Sequence, residues 1–232
     1  MGAQTSTDAR DSTGKADGKV AQKVKPRLRG FSHLAGFCGS VAACLMLVGL
    51  PGGGAQHRAG LVYGVSMAAM FGMSSLYHVP MWSHPTRALL RRFDHSGIFL
   101  FIAGTFTPLA VLYSGGRASV WLWLMWGGAL LGIAYAIINS YGPRWIRSGS
   151  YVALGLFSAP VVLHLPTLIG WERGLVLLGG AALYVLGAVV YSRRWPNPKP
   201  AVFGFHEVFH LFVLAAAALQ FVVIYKVQSA LA

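Results

Sequence analysis

The chain has 232 residues, 55% of them hydrophobic and only 11% charged, with 29 glycines and a mean hydropathy of +0.57. That balance excludes a soluble globular domain and describes a polytopic membrane protein of single-domain size. The formal net charge of +13 does not indicate nucleic acid: seven of the nineteen basic residues precede residue 30, and most others fall in short connections between apolar runs, where topology accounts for them.

Residues 1–26 are polar and contain no apolar core segment, so they read as a disordered basic cytoplasmic tail and not as a secretory signal peptide. Residues 27–232 read as a seven-helix membrane domain. The apolar runs are 31–50, 60–78, 95–113, 120–139, 151–167, 174–191 and 202–225, each near the ~20 residues a spanning helix needs. Cys38 and Cys44 share the first run but not one helix face, which makes them free thiols. Gly60 with Gly64, and Gly128 with Gly132, allow close approach of neighbouring helices. Pro108 is expected to kink the end of the third helix, and Pro160, His164 and Pro166 interrupt the fifth. The predicted fold class is all-α, with seven transmembrane helices.

Orientation follows from the basic residues. Seven lie ahead of the first run; Arg87, Arg91 and Arg92 lie between runs two and three, Arg144 and Arg147 between four and five, and Arg193, Arg194 and Lys199 between six and seven. Arg58, Arg117, Arg173 and Lys226 are single charges on the opposite side. The expectation is a cytoplasmic N-terminus and an outside C-terminus, in the plasma membrane. Trp82, Trp145 and Trp195 then lie at the inner interface, with Trp121 and Trp171 near the outer one.

Acidic residues are scarce: Asp8, Asp11, Asp17, Asp94, Glu172 and Glu207 are the full set. On this reading Asp94 begins helix three and Glu207 begins helix seven, both on the cytoplasmic side. His206 and His210 are four apart, so on a helix they lie about 40° from each other, one turn apart, a spacing that suits two ligands of one zinc ion. His78 ends helix two on the same side, and Ser74 lies one turn deeper on its face. Three imidazoles with a fourth position left for water, and a carboxylate beside it, make a catalytic zinc site. Blander readings stand beside it: an interfacial histidine at 78, an N-cap at Asp94, a packing hydroxyl at Ser74. His33 and His95 are candidates to support the ligands from behind. The letters His206-Glu207-x-x-His210 also spell a zinc-protease signature in which Glu207 is the general base, but no acidic residue follows to act as third ligand.

Ser74-Ser75-Leu76-Tyr77-His78, Arg92-Phe93-Asp94-His95-Ser96-Gly97 running on to Pro108, and His206-Glu207-Val208-Phe209-His210 together resemble the hemolysin III proteins of the progestin and adipoQ receptor family, which includes the adiponectin receptors. The resemblance implies a seven-helix protein with zinc near the inner face, held by His78, His206 and His210, with Asp94 holding the zinc water and Ser74 close by. It leaves Glu207 without a catalytic role. The sequence departs from the family pattern before helix one, where Pro26 and Arg29 stand in place of Glu and Asn and only His33 is kept.

Three functions compete. One is a zinc-dependent intramembrane hydrolase of lipid amides or esters, similar to the ceramidase activity of the wider superfamily. Another is a receptor or sensor of membrane state in which zinc is structural and membrane lipid is the ligand. The third is a pore-forming cytolysin, against which stand helices built for permanent insertion and the polar tail. Nothing in the sequence fixes the oligomeric state.

Overall fold

The computed structural model describes residues 25–51, 54–115 and 119–231. The predicted tail, apart from its last two residues, and Arg117 lie outside the described residues. Among these the chain is helical, with a lone antiparallel bridge between Lys199 and Phe203. In order come α1 (Phe31–Val48), α2 (Ala55–His78), α3 (His84–Tyr113), α4 (Val120–Ile138), α5 (Arg144–Phe157), α6 (Ala159–Ile169), α7 (Trp171–Arg193) and α8 (Phe205–Ser229). Six are long and apolar enough to cross a bilayer, or seven spans result if α5 and α6 count as one bent crossing. Helices are what hydrocarbon demands, because each N–H and C=O must find its partner within the segment. Apolar side chains such as Trp123, Leu131 and Ile138 on α4 are about three-quarters exposed (74%, 75% and 77%), an outer surface suited to lipid and not to water.

Four helices begin earlier than hydropathy indicates, α2 and α7 by about a turn and α3 and α5 by about two turns or more. α3 starts at His84, with Pro85 in its first turn presetting helical φ. Asp94 therefore does not begin or N-cap that helix; it lies nearly three turns inside it. Arg87, Arg91 and Arg92 are correspondingly helical and not loop residues. In the same way α5 starts at Arg144, placing Arg144 and Arg147 in its first turn. Charged turns that project beyond the apolar slab carry no hydropathy signal, yet they propagate a helix already nucleated inside it.

The interruption in the fifth span falls at Ser158, where α5 and α6 meet at 46°. Pro160 supplies no N–H to the Leu156 carbonyl, and its ring clashes with that turn. Pro166 and His164, in contrast, stay within α6. Pro108 lies inside α3, which continues to Tyr113; Gln56 Nε2 donates to its carbonyl (3.2 Å) and Thr107 Oγ1 donates to the Ala103 carbonyl (2.8 Å). Cys38 and Cys44 are free.

α3 is the most enclosed helix, packing on α2, α4, α5, α6 and α8, while α8 also packs on α7, α1 and α2. Tyr63, Phe71, Phe99 and Phe101 form the middle of the core. Small residues bring the helices together: a Cβ on Gly64 would press on Cys44, one on Gly132 would enter the Phe99 ring, and one on Gly104 would overlap the Ser66 hydroxyl.

The segment before α1 is tied to the start of α8. Arg27 and Leu28 donate their N–H groups to the carbonyls of Ala201 and Val202 (3.1 Å each), and the Arg29 guanidinium pairs with Glu207 Oε1. Glu207 Oε2 accepts from the Gly204 N–H (2.7 Å), and Asn197 Oδ1 accepts from the Phe205 N–H (3.0 Å), so both side chains cap α8. Gly30 has φ 88°, a conformation glycine adopts freely, and a Cβ there would stand 2.6 Å from His78 Cβ. The chain thus passes directly beside the end of α2.

Two stability predictions follow from this packing. Gly104→Val should lower stability by about 1–3 kcal/mol by overpacking against Ser66, whereas Gly39→Ala, which meets nothing within 4 Å, should stay within about 0.5 kcal/mol; thermal melts in detergent compare them. Arg29→Ala should cost about 2–4 kcal/mol, because it strands the nearly inaccessible Glu207 carboxylate. The double variant Arg29→Ala, Glu207→Gln should recover part of that loss in the same melts.

Candidate metal centre

His78 is the last residue of α2, and His206 and His210 occupy the first two turns of α8. One ligand atom from each lies within 4.8 Å of the other two. The Nε2 atoms of His78 and His206 approach to 3.2 Å, and the ring centroids are 4.4 Å apart for His206 and His210, 4.7 Å for His78 and His206, and 5.1 Å for His78 and His210. A tetrahedral zinc ion with bonds of about 2.0–2.1 Å sets its donors roughly 3.3–3.4 Å apart, so the closest nitrogen pair is already near the spacing such an ion needs. His210 Nδ1 is buried and has no hydrogen-bond partner among the described residues. The donor set, all imidazole, suits zinc. These residues fit the ion.

Asp94 Oδ2 lies 3.7 Å from His78 Nε2. For this α3 must begin well beyond the level of His78 and run back about 15 Å along its axis before Asp94 arrives. Ser74 sits beside the Asp94 carboxylate and shares a 2.8 Å hydrogen bond with His33 Nδ1. The His33 ring stacks on His210, centroids 3.6 Å apart and planes within 10°. α1 therefore contributes to the site through His33, which braces one candidate ligand and orients the serine. His95 is buried nearby on α3 and its carbonyl accepts from the Tyr151 hydroxyl (3.3 Å), but its ring packs on none of the three histidines. All five residues expected from the sequence, Ser74, His78, Asp94, His206 and His210, converge.

Glu207 is turned to other work. Its two oxygens are engaged by the Gly204 N–H and by Arg29, so the His-Glu-x-x-His spelling carries no general base here. Arg29 had no visible role in the sequence beyond breaking a family pattern; its signal is the acidic residue it faces 178 positions away. Tyr191 is a second residue that sequence reasoning passes over. Its ring lies 5.6 Å from that of His206, and its hydroxyl accepts from Arg147 Nη2 (2.9 Å).

A cavity of about 200 Å³ runs among α3, α5, α6, α7 and α8 and reaches His33, Ser74 and Asp94 at its polar end. The rest of its wall is mostly apolar, with Phe101, Leu109, Met125, Val162 and Leu177 among the lining residues. Such a shape accepts an apolar chain and presents its end to a carboxylate and a hydroxyl.

Comparison with known proteins identifies the family. A family model described as Haemolysin-III related matches residues 21–221. The chain is 30% identical to Hemolysin-3 of Bacillus cereus over 211 residues, covering 88% of this chain and 92% of that protein. It is 27% identical to the human monocyte to macrophage differentiation factor over 173 residues, covering 71% and 68% of the two chains. Similarity to the adiponectin receptor protein of Drosophila melanogaster is 26% over 218 residues, 82% of this chain but 48% of that one, so this chain spans about half of its length. With most of its length matched by the family model and by a relative covered almost end to end, this chain belongs to the haemolysin-III-related family.

Proposed function

We propose that this protein is a zinc-dependent hydrolase of the membrane interior, acting on lipid amides or esters in membrane lipid homeostasis. The single observation that carries the reading is the meeting of three imidazoles with a carboxylate, Asp94, that also lines an apolar cavity. In this reading the chain crosses the plasma membrane seven times, with α5 and α6 as one bent crossing. The basic residues on one set of connections support a cytoplasmic N-terminus and an outside C-terminus.

His78, His206 and His210 would hold the ion. Bound there, zinc supplies a Lewis acid and lowers the pKa of water to about 7. The chain's own residues do the rest. The cavity takes the acyl chain and excludes bulk water from the scissile bond. Asp94, beside His78, accepts a proton at Oδ2 and returns it to the departing amine or alkoxide, which keeps both charges from persisting in a low-dielectric site. Ser74 Oγ, held by His33, stands beside that carboxylate and fixes its orientation. Hydrolysis in this frame consumes one water and releases a fatty acid and an amine or alcohol.

A second reading is favoured by the name of one relative, an adiponectin receptor, and by how deeply the centre is enclosed: His33, His78 and His210 are 3%, 5% and 1% exposed. In it the ion ties α2 to α8 in a receptor or sensor, and lipid in the cavity is a ligand and not a substrate. Three imidazoles leave a coordination position open, which favours chemistry over a closed structural site.

Metal content per chain, read by mass spectrometry on detergent-purified protein, should be about one zinc in the parent, lost in His78→Ala and His206→Ala and kept in Asp94→Asn. Zinc that survives both histidine changes would remove the site. With fluorescent ceramide and ester lipids as substrates, Asp94→Asn should lower turnover by about 10²–10⁴-fold at full zinc occupancy. Unchanged turnover would exclude Asp94 from the reaction, and a parent that binds zinc and lipid yet never releases fatty acid would favour the sensor.

A further inference from the structure

Three arginines at the same end of the bundle carry buried nitrogens without a partner and make no ion pair among the described residues. Arg147, in the first turn of α5, is 3% exposed; its Nη1 donates to the Ser140 carbonyl (3.1 Å) and its Nη2 to Tyr191, while Nε is buried with no partner. Arg144, one turn before it, lies over the rings of Tyr191 (5.5 Å) and Phe205 (5.3 Å) and has a buried, unpartnered Nη1. Arg91, one turn before His95 on α3, lies over Tyr141 (4.3 Å) with a buried, unpartnered Nε. The charges of Arg91, Arg147 and Arg194 all act on Arg144. None of the three makes a direct ion pair among the described residues; Asp94, paired with His78, acts on Arg91 and Arg147 only at longer range.

The start of α5 sharpens the imbalance. Its N-terminus carries partial positive charge from the free N–H groups of the first turn, has no side-chain cap and no acidic residue, and holds two arginines where helices prefer acids. Topology accounts for basic residues on this side, but it asks only for solvated ones; it does not account for a buried guanidinium without an acid, which is costly to desolvate. A group that is anionic, has several oxygens set at wide angles and reaches the membrane boundary would supply the charge this cluster of guanidinium groups lacks. Phosphate does so, and guanidinium forks match its oxygens in pairs.

We infer that Arg91, Arg144 and Arg147, with the N-terminus of α5, form a binding site for a phosphate group, carried by the headgroup of an acidic phospholipid or by a soluble phosphate ester. Tyr191 forms one wall of this site and also faces His206, so the phosphate site adjoins the candidate metal centre through a single side chain. The site stands whether or not the protein is a hydrolase. Basic pockets between membrane helices on one leaflet are a recurring means of recognising acidic headgroups.

The test is equilibrium binding to the full chain in detergent, with dioctanoyl phosphatidic acid, dioctanoyl phosphatidylcholine and inorganic phosphate as the three probes. The parent should bind phosphatidic acid at least about tenfold more tightly than phosphatidylcholine, and Arg144→Gln and Arg91→Gln should each weaken that binding by about tenfold or more. Arg92→Gln and Arg193→Gln, which remove exposed charges from the same face, should change it less than about twofold. Arg147→Gln is a further variant, but it also frees the 140–142 turn, so the two less buried positions carry the decision. Displacement of the lipid by millimolar inorganic phosphate identifies a free phosphate ester as a ligand; failure to displace assigns the site to the lipid headgroup, and either result supports it. Absence of a preference for the acidic lipid, or a preference that survives both Arg144→Gln and Arg91→Gln, or one lost equally in the exposed controls, overturns the proposal.

Discussion

An ionisable group withdrawn from water must find a partner, and in this protein both carboxylates near the membrane end have one. The chain has only two acidic residues in its membrane domain apart from Glu172, and the fold spends both at one end. Asp94 goes to the histidines; Glu207 goes to Arg29 and to the first turn of α8. Each choice fixes an element as well as a charge. The Asp94 contact sets how far α3 must slide past the end of α2, and the Glu207 contacts set how the chain enters α8.

From these constraints comes the rigidity of the centre. The two histidines of α8 stand on a helix start secured by Glu207 and Asn197, while the chain ahead of α1 is pinned to the residues just before it by backbone hydrogen bonds. Gly30 carries that segment past His78, and His33 then closes over His210. The first three helices, α1, α2 and α3, thereby meet the last, α8, with little freedom to separate. Such preorganisation matters more at a metal centre than elsewhere, because ligands held at the required spacing spare the ion the cost of gathering them.

Much of this was readable from the letters alone. His206 and His210 are local, so helical periodicity places them together, and His78 and Asp94 are rare ionisable residues at the edges of apolar runs, where a reason for their presence must be sought. What hydropathy could not read is where a helix begins once it leaves the hydrocarbon. It missed the charged first turns of α3 and α5, and so turned Asp94 into a helix start and Arg144 and Arg147 into loop residues. Nor could it pair residues across long separations: Arg29 with Glu207 and Tyr191 with His206 are facts of packing, with no local spacing to announce them. The break of the fifth span is an intermediate case. Three interrupting residues are visible, but only Pro160 falls where the preceding turn is free to part.

That break has a geometric consequence. Val152, Gly155 and Leu156 on one side of the joint, Ser158 at it and Val162 beyond it all line the apolar cavity. The cavity wall is therefore a corner and not a plane, and its width is set by an angle as much as by side-chain bulk. Opening or straightening the 46° bend swings the α6 half of the wall while the α5 half, anchored by Arg147 and by Tyr151 on the His95 carbonyl, stays in place. Because α6 also packs on α3 and α7, the space within this corner depends on how those two helices hold the bend.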